Sequence, residues 1–232
     1  MRIRSAALSQ RKLSARTPVL VGLLGATALG LSACAQQLQP AQPVSQPTVA
    51  HDFMAATANP MASRAASDVL QKGGSAVDAA IAAQMVLAVV EPQASGLGGG
   101  STILYWDKAA DHLSFFDGLA SAPAGMNRDY MHDRNGVRIP EVTLQRTGRV
   151  VGVPGTLRTL ALLHERYGKL PWSDLFQPAI SAARDGFPLA GDLHLVLTER
   201  PELAKELHFL AYVDASGQPL PKGTSLHNAD LA

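Results

Sequence analysis

Cysteine is nearly absent from this chain, since Cys34 is the only one among 232 residues. A single cysteine cannot form a disulfide within the chain, so a disulfide-stabilised fold is excluded. Aromatic residues are also scarce, at 5%, whereas apolar residues of all types make up 47%. That apolar content is enough for a folded core and excludes a wholly disordered chain.

Acidic residues are missing from the first 33 positions, which hold five of the 20 basic residues. The rest of the chain therefore has 15 basic and 19 acidic side chains, a formal net charge of −4. A protein that binds nucleic acid needs a basic face to neutralise phosphates. We therefore expect no nucleic-acid partner.

The first 33 residues have the three zones of an export signal. A basic stretch extends to Arg16, and the apolar stretch over residues 18–31 is about half as long as a helix that spans a bilayer. The run Leu31-Ser32-Ala33-Cys34 then resembles the lipobox of bacterial lipoproteins, in which the cysteine is acylated and becomes the new N-terminus. We predict a lipoprotein signal peptide over residues 1–33 and lipidation at Cys34. The alternative is an ordinary cleaved signal followed by an incidental cysteine.

A Gln- and Pro-rich segment over residues 34–50 follows the predicted lipid anchor. Its prolines keep it extended and it has little to bury, so we interpret it as a tether between the membrane and a folded part at residues 51–232. Ala35, rather than an aspartate, follows Cys34, which resembles the sorting pattern for the outer membrane. We expect a periplasm-facing lipoprotein in the cell envelope, attached to the outer membrane.

The folded part is predicted to begin with two helices. Apolar residues recur on one helical face over residues 60–72, and Gly73 and Gly74 are suited to end that helix. Ser75 stands three residues before Asp78, a variant of the N-terminal capping box, and the following residues to position 90 are apolar nearly all round. The pattern predicts two helices, of which the second is a central helix buried on most sides.

A glycine-rich segment over residues 96–100 follows the second predicted helix. Glycines at this density allow positive φ angles and the close approach of another segment or of a ligand. A nucleotide-binding loop would lead into a helix whose N-terminus holds the phosphate, but this segment leads into the β-branched and aromatic residues 102–106. We therefore favour a close-packed start of a strand over a nucleotide site.

A hairpin and further helices complete the predicted fold. Residues 102–106 and 113–116 are the two strands, and a polar, irregular stretch over residues 117–149 contains a turn at Asn135 and Gly136. Further helices are predicted at residues 156–167, at residues 172–184 and as shorter pieces within residues 192–209. The predicted class is α+β with a small sheet.

Five sequence runs resemble the start of the large subunit of γ-glutamyltranspeptidases, in the order and at the spacing of that family. They lie at residues 59–63, 73–82, 91–100, 152–156 and 177–180. The final segment, residues 223–232, also resembles the family. The resemblance covers residues 51–232 and implies an incomplete αββα sandwich, the N-terminal part of an N-terminal nucleophile hydrolase.

The resemblance also implies a function. In this family the precursor cuts itself, and the freed N-terminal threonine attacks a γ-glutamyl amide, after which the acyl group passes to water or to an amine. No metal or organic cofactor is expected, and the seven histidines of the chain show no metal-ligand spacing. The family's threonine lies beyond Ala232, so the resemblance implies no catalytic residue here and an inactive chain. Its implied partners are the missing C-terminal part and a small γ-glutamyl peptide such as glutathione.

Leu119 departs from the family pattern. Family members have the motif Asp-Gly-Arg-Glu-x-Ala-Pro after the hairpin, and its arginine binds the α-carboxylate of the glutamyl donor; residues 117–123 of this chain have leucine in its place. Leucine offers no hydrogen-bond donor, so weak donor binding is expected at this substrate-binding position. The alternative is that Arg128, Arg134 or Arg138 of the following loop binds the carboxylate instead.

Three classes of function therefore stay open. The first is a γ-glutamyltransferase or glutathione hydrolase, of which this chain is the N-terminal part. The second is a related acylase with altered acyl specificity, and the third is a non-catalytic lipoprotein that keeps the start of the fold as a binding module. A downstream Thr-Thr-His-like motif in the gene would favour the first class.

Overall fold

The computed structural model describes residues 49–145, 147–202 and 212–232. The predicted signal peptide, Cys34, most of the predicted tether and the end of the predicted 192–209 helical stretch lie outside the described residues. One compact unit spans Ala50–Ala232. Within the described part of the chain, no helix is both long and apolar enough to cross a membrane.

Two helices packed against each other form the centre of this unit. Helix α1 is Pro60–Gln71 and helix α2 is Ala76–Val90, which confirms both predicted helices to within one residue. Between them, Gly73 has a φ of +86°, the left-handed conformation that glycine adopts at low cost. Ten of the 15 residues of α2 are buried, so α2 is the central helix that the sequence predicts.

The predicted capping box starts α2. The Ser75 hydroxyl accepts a hydrogen bond from the Asp78 N–H at 3.1 Å, and the Asp78 carboxylate accepts one from the Ser75 N–H at 2.8 Å. Two backbone donors at the helix start are satisfied in this way.

A two-stranded antiparallel hairpin confirms the predicted strands. Strand β1 is Ser101–Asp107 and strand β2 is His112–Gly118. Side chains alternate between its two faces, and the inner face packs on the core through Ile103, Tyr105 and Phe116. The outer face is apolar and open. Its large side chains are Leu104, Trp106, Leu113 and Phe115, which are 68%, 54%, 54% and 62% exposed.

Further elements complete the unit and extend its core. They include helices α3 (Glu141–Leu144), α4 (Thr156–Tyr167), α5 (Gln177–Asp185) and α6 (Gly191–Glu199), and strands β3 (Phe187–Pro188) and β4 (Ser225–Leu226). Helices α4 and α5 pack on α2, and β3 pairs with β4. One hydrophobic cluster unites side chains from α1, α2, α4, α5 and α6.

Two predicted elements differ from the structure. The predicted helix at residues 172–184 is a 3-10 turn, Trp172–Phe176, followed by α5, because Pro178 has no N–H to donate and therefore sits in the first turn of an α-helix. The stretch 117–149 is not wholly irregular, since it contains α3. Its predicted turn is present, and Gly136 has a φ of +77°.

The glycine-rich segment is only partly as predicted. No glycine between residues 96 and 100 has a positive φ, so that expectation is wrong. The close approach is confirmed at Gly100, where an added Cβ would lie 2.7 Å from the Cα of Leu119 and from the N of Ala120. Contact with another backbone segment, rather than an unusual dihedral angle, explains this glycine.

Candidate functional site

Leu119 lies directly after β2, and its side chain is 61% exposed. Its N–H donates a hydrogen bond to the Asp117 carboxylate at 3.0 Å, which shapes the backbone at the strand end. Gly100, directly before β1, packs closely against the Leu119 backbone. The backbone of Leu119 is therefore closely held, while its side chain is free to face a ligand or another part of the protein.

Three glycines lie around the backbone at Leu119. We call Gly100, Gly118 and Gly155 the glycine junction. An added Cβ on Gly155 would lie 2.8 Å from the Leu119 carbonyl oxygen and closer still to that of Gly118. The Gly99 carbonyl accepts hydrogen bonds from the N–H groups of Gly155, at 3.1 Å, and Thr156, at 3.3 Å. The start of α4 is thereby fixed against both ends of the hairpin.

The loop after Leu119 is held by Arg149. Its Nη1 donates hydrogen bonds to the carbonyl oxygens of Tyr130, at 2.8 Å, and His132, at 3.1 Å, and its guanidinium lies 5.8 Å from the centre of the Tyr130 ring. Sequence reasoning missed this residue, because backbone carbonyl acceptors 17 and 19 positions away leave no signal in the sequence.

The other cations of this loop have a different environment. Arg128, Arg134 and Arg138 are exposed, and none of the three forms an ion pair with a residue that the structure describes. The structure therefore brings none of them to Leu119 through a specific contact. Their proposed replacement of the family's arginine stays a prediction.

Asp78 is a fully buried carboxylate with a second role beyond the capping box. Its Oδ2 also accepts hydrogen bonds from the backbone N–H groups of Lys169, at 2.9 Å, and Leu170, at 3.2 Å. The His164 Nε2 lies 3.8 Å from Oδ1 and 2.8 Å from the Leu170 carbonyl oxygen. Asp78 thus connects the start of α2 to the chain after α4, a contact across 91 residues that the sequence could not indicate.

The described residues contain no group of three or more His, Cys, Asp or Glu side chains arranged to hold a metal ion. Two threonines near the glycine junction have local partners or are buried. Thr156 is 2% exposed, and the Thr159 hydroxyl donates a hydrogen bond to the Gly155 carbonyl at 3.0 Å.

Solved structures show the class of protein to which this arrangement belongs. The γ-glutamyltranspeptidase of Helicobacter pylori matches with a TM-score of 0.72 and 28% identity, over 80% of this chain and 53% of that chain. A cephalosporin acylase from Bacillus halodurans matches with a TM-score of 0.60 and 25% identity, over 83% of this chain and 37% of that one. The fold is the N-terminal part of the αββα sandwich of an N-terminal nucleophile hydrolase, and the chain contains only part of that domain.

Sequence comparison then identifies the family. The family profile for Gamma-glutamyltranspeptidase matches residues 62–232. The glutathione hydrolase proenzyme of Bacillus subtilis (strain 168) is 37% identical over 187 residues, which are 81% of this chain and 32% of that protein. The chain belongs to the γ-glutamyltranspeptidase family and spans about a third of the length of this relative. The predicted resemblance and fold class are confirmed.

Proposed function

We propose that this chain is the N-terminal part of an envelope enzyme that hydrolyses or transfers γ-glutamyl amides. Its nucleophile would be an N-terminal threonine that self-cleavage frees downstream of Ala232. Family membership supports this proposal, as does the relative named a glutathione hydrolase proenzyme. Glutathione or another small γ-glutamyl peptide is the proposed substrate, and the missing C-terminal part of the same precursor is the proposed partner.

The open outer face of the hairpin is the observation that carries the proposal. Its four large apolar side chains form neighbouring cross-strand pairs, because Leu104 lies opposite Phe115 and Trp106 lies opposite Leu113. A contiguous apolar face of this kind normally packs against another layer of the protein. The downstream part of the precursor would supply that layer, and without it the chain would be inactive.

Leu119 sets the proposed specificity. The glycine junction fixes the backbone where the family pattern has its carboxylate-binding arginine, but the leucine side chain has no donor to offer. A buried carboxylate that loses such a partner binds more weakly by about 2–5 kcal/mol. Weak γ-glutamyl transfer by the complete protein follows from this substitution.

A related acylase is the second candidate. Leu119 favours it, because an acyl group that is neutral at this end would lose nothing from the missing arginine. The structural likeness to a protein named a cephalosporin acylase supports this candidate. Measured preference for a neutral acyl donor over a γ-glutamyl donor would distinguish this candidate from the first.

Attachment through Cys34 completes the proposal. The lipobox-like run supports an acylated cysteine at the start of the mature protein, and the segment to residue 50 would separate the folded unit from the lipid surface. The enzyme would face the periplasm from the outer membrane.

The proposal is tested by comparing the chain with the complete product of its gene. The purified chain should neither cut itself nor release p-nitroaniline from γ-glutamyl-p-nitroanilide, whereas the complete product should cut itself and show slow release. The matched control is the complete product with its downstream threonine replaced by alanine. Turnover by the chain that survives further purification, or a complete product that stays uncut and inactive, would overturn the proposal.

A further inference from the structure

A second buried carboxylate, Glu91, lies at the end of α2, outside the glycine junction. It is 6% exposed. Its Oε1 accepts a hydrogen bond from the Asn59 amide at 2.7 Å, and its Oε2 accepts one from the Gln93 amide, also at 2.7 Å. An ionised carboxylate accepts on both oxygens in this way, and it has room for about two further hydrogen bonds.

Neutral amides are the only side-chain donors to Glu91 among the described residues. No Lys, Arg or His nitrogen of those residues lies within 4.0 Å of its oxygens. The N-terminus of α1 and the C-terminus of α2 both lie beside it, and their dipoles act in opposite directions, so neither end gives a clear net compensation. A buried carboxylate is stable only when it is paired or fully hydrogen-bonded, so this group is suited to receive a cation.

Gln93, one of the two amide donors to Glu91, carries a further acceptor that is unpaired among the described residues. Its amide nitrogen is used by Glu91, but its Oε1 is buried without a hydrogen-bond donor from the part of the chain that the structure describes. The cluster of Asn59, Glu91 and Gln93 therefore has more acceptors than donors. A group with several N–H donors and a positive charge would supply both the hydrogen-bond donors and the cation that the cluster lacks.

A cavity of about 450 Å³ adjoins Glu91 and has the size of a small-molecule site. Asn59 and Glu91 lie in its lining, which contains two carboxylates, those of Glu91 and Asp192, and one cation, that of Lys222. The remaining lining is largely apolar, with side chains from the following residues: Ala58, Pro60, Met61, Pro188, Leu189 and Ala190.

Lys222 is the cation of the lining, and Gly191 makes room for its side chain. An added Cβ at Gly191 would be 3.2 Å from both the Cε and the Nζ of Lys222. Its ammonium forms no ion pair with a described carboxylate, Glu91 and Asp192 included. The net formal charge of the lining is −1, which favours a ligand with one positive charge.

We propose that this cavity binds a small organic primary ammonium with an apolar body, whose –NH3+ group contacts Glu91 and whose body packs on the apolar wall. The ammonium supplies three donors, and the Glu91 carboxylate in the lining has room for about two further hydrogen bonds. The ligand could be a simple amine or an apolar amino acid, which share this chemistry. The site lies outside the glycine junction, so the inference does not depend on the proposed hydrolase activity.

The experiment compares 3-methylbutylamine with 3-methylbutan-1-ol by calorimetric titration of the complete gene product. The two probes have nearly the same shape, and only the amine has a positive charge. The amine should bind at least roughly tenfold more tightly than the alcohol, and Glu91→Gln should remove that difference. Glu141→Gln, on an exposed position of α3, is the matched control and should change nothing. Titration with L-leucine separates the two sources, because a carboxylate that reaches Lys222 would make it bind more tightly than the amine.

Lys222→Gln keeps the test decisive if Glu91→Gln does not fold. Removing a like charge from the wall should tighten amine binding by a few fold. Equal binding of amine and alcohol, or no binding of the amine at about 10 mM, overturns the proposal. The proposal is also overturned if Glu91→Gln and Lys222→Gln lower the melting temperature equally and neither changes the affinity for the amine. That result would show that Lys222 itself is the cation that pairs with Glu91.

Discussion

Asp78 stabilises two parts of the chain at once. Its carboxylate is fully buried, and its Oδ2 accepts N–H bonds from Ser75 and from two residues of the segment after α4. Hydrogen bonds to a charged acceptor are about twice as strong as those between neutral groups. The loss of one such acceptor in a buried site leaves several backbone donors unpaired.

Asp78→Ala should therefore lower the free energy of unfolding by about 2–4 kcal/mol. Alanine has no acceptor, so the N–H groups of Ser75, Lys169 and Leu170 would lose their partner. Urea unfolding of the complete gene product measures the loss. Asp68→Ala is the matched control, since Asp68 is exposed on α1, and its substitution should change stability by less than about 0.5 kcal/mol. Equal midpoints for both variants would contradict the structural role of Asp78.

Leu119→Arg is the residue-scale test of specificity. In the complete gene product it should raise kcat/KM for a γ-glutamyl substrate by about tenfold or more, because a guanidinium at this strand end can pair with the donor's α-carboxylate. The comparison uses γ-glutamyl-p-nitroanilide and a neutral acyl anilide, and only the first should respond.

Leu119→Met is the control for size, since methionine has similar volume and no strong donor. Robust wild-type activity on glutathione, with no gain from the arginine, would show that another group binds the carboxylate. Arg128, Arg134 and Arg138 would then be the residues to replace one at a time.

At the scale of elements, the hairpin has one face in the core and one face that nothing in the described unit covers. Its inner face joins the core, while Leu104 and Phe115 point away from it and are 68% and 62% exposed. In the chain alone this face should bind a hydrophobic dye and promote aggregation. The complete gene product, in which another layer would cover the face, should bind much less dye.

The double variant Leu104→Ser, Phe115→Ser should remove most of the dye fluorescence of the chain alone. Val137→Ser is the matched control, because Val137 is 61% exposed in a loop outside the hairpin face and should contribute little. A soluble monomeric chain with a sharp cooperative melt and no dye binding would instead show that residues 50–232 form a complete domain.

The sequence predicted those elements well that are determined by interactions between near neighbours in the chain. The capping box, the helical periodicity and Gly73 define α1 and α2, since each of these signals acts within a few residues. Other features depend on partners far along the chain. Glu91 contacts Asn59 across 32 residues, and Gly100 is required by the backbone of Leu119, so neither role follows from its own neighbours.

The candidate site divides in the same way. The motif after the hairpin indicated the position of Leu119, and the structure places that position at the end of β2. The glycine junction was not predicted, because three separate segments must meet before its crowding exists. Pro178 is a local signal that the predicted helix at residues 172–184 did not take into account, since proline favours the first turn of an α-helix over its interior.

At the scale of the whole molecule, the proposal assigns packing and membrane attachment to different parts of the chain. Residues 50–232 contain the packed core and the glycine junction, and the chain spans 32% of the Bacillus subtilis relative. The proposed nucleophile belongs to the remainder. The lipid anchor would then hold both parts of a cleaved precursor at one membrane, provided that the two parts stay bound after cleavage.

Cys34→Ser tests that arrangement. Acylation needs the cysteine thiol, so the serine variant should stay unprocessed or leave the membrane, and it should incorporate no labelled fatty acid. Acyl chains supply the membrane affinity of a lipoprotein, and even a single chain gives only marginal binding. A variant without the modified residue should therefore lose its stable attachment to the membrane. The matched control is Ser32→Ala, which keeps a small residue beside the cleavage position and should be processed normally. Membrane fractionation and fatty-acid labelling that are unchanged in Cys34→Ser would show that the first 33 residues act as another kind of signal, with an incidental cysteine after them.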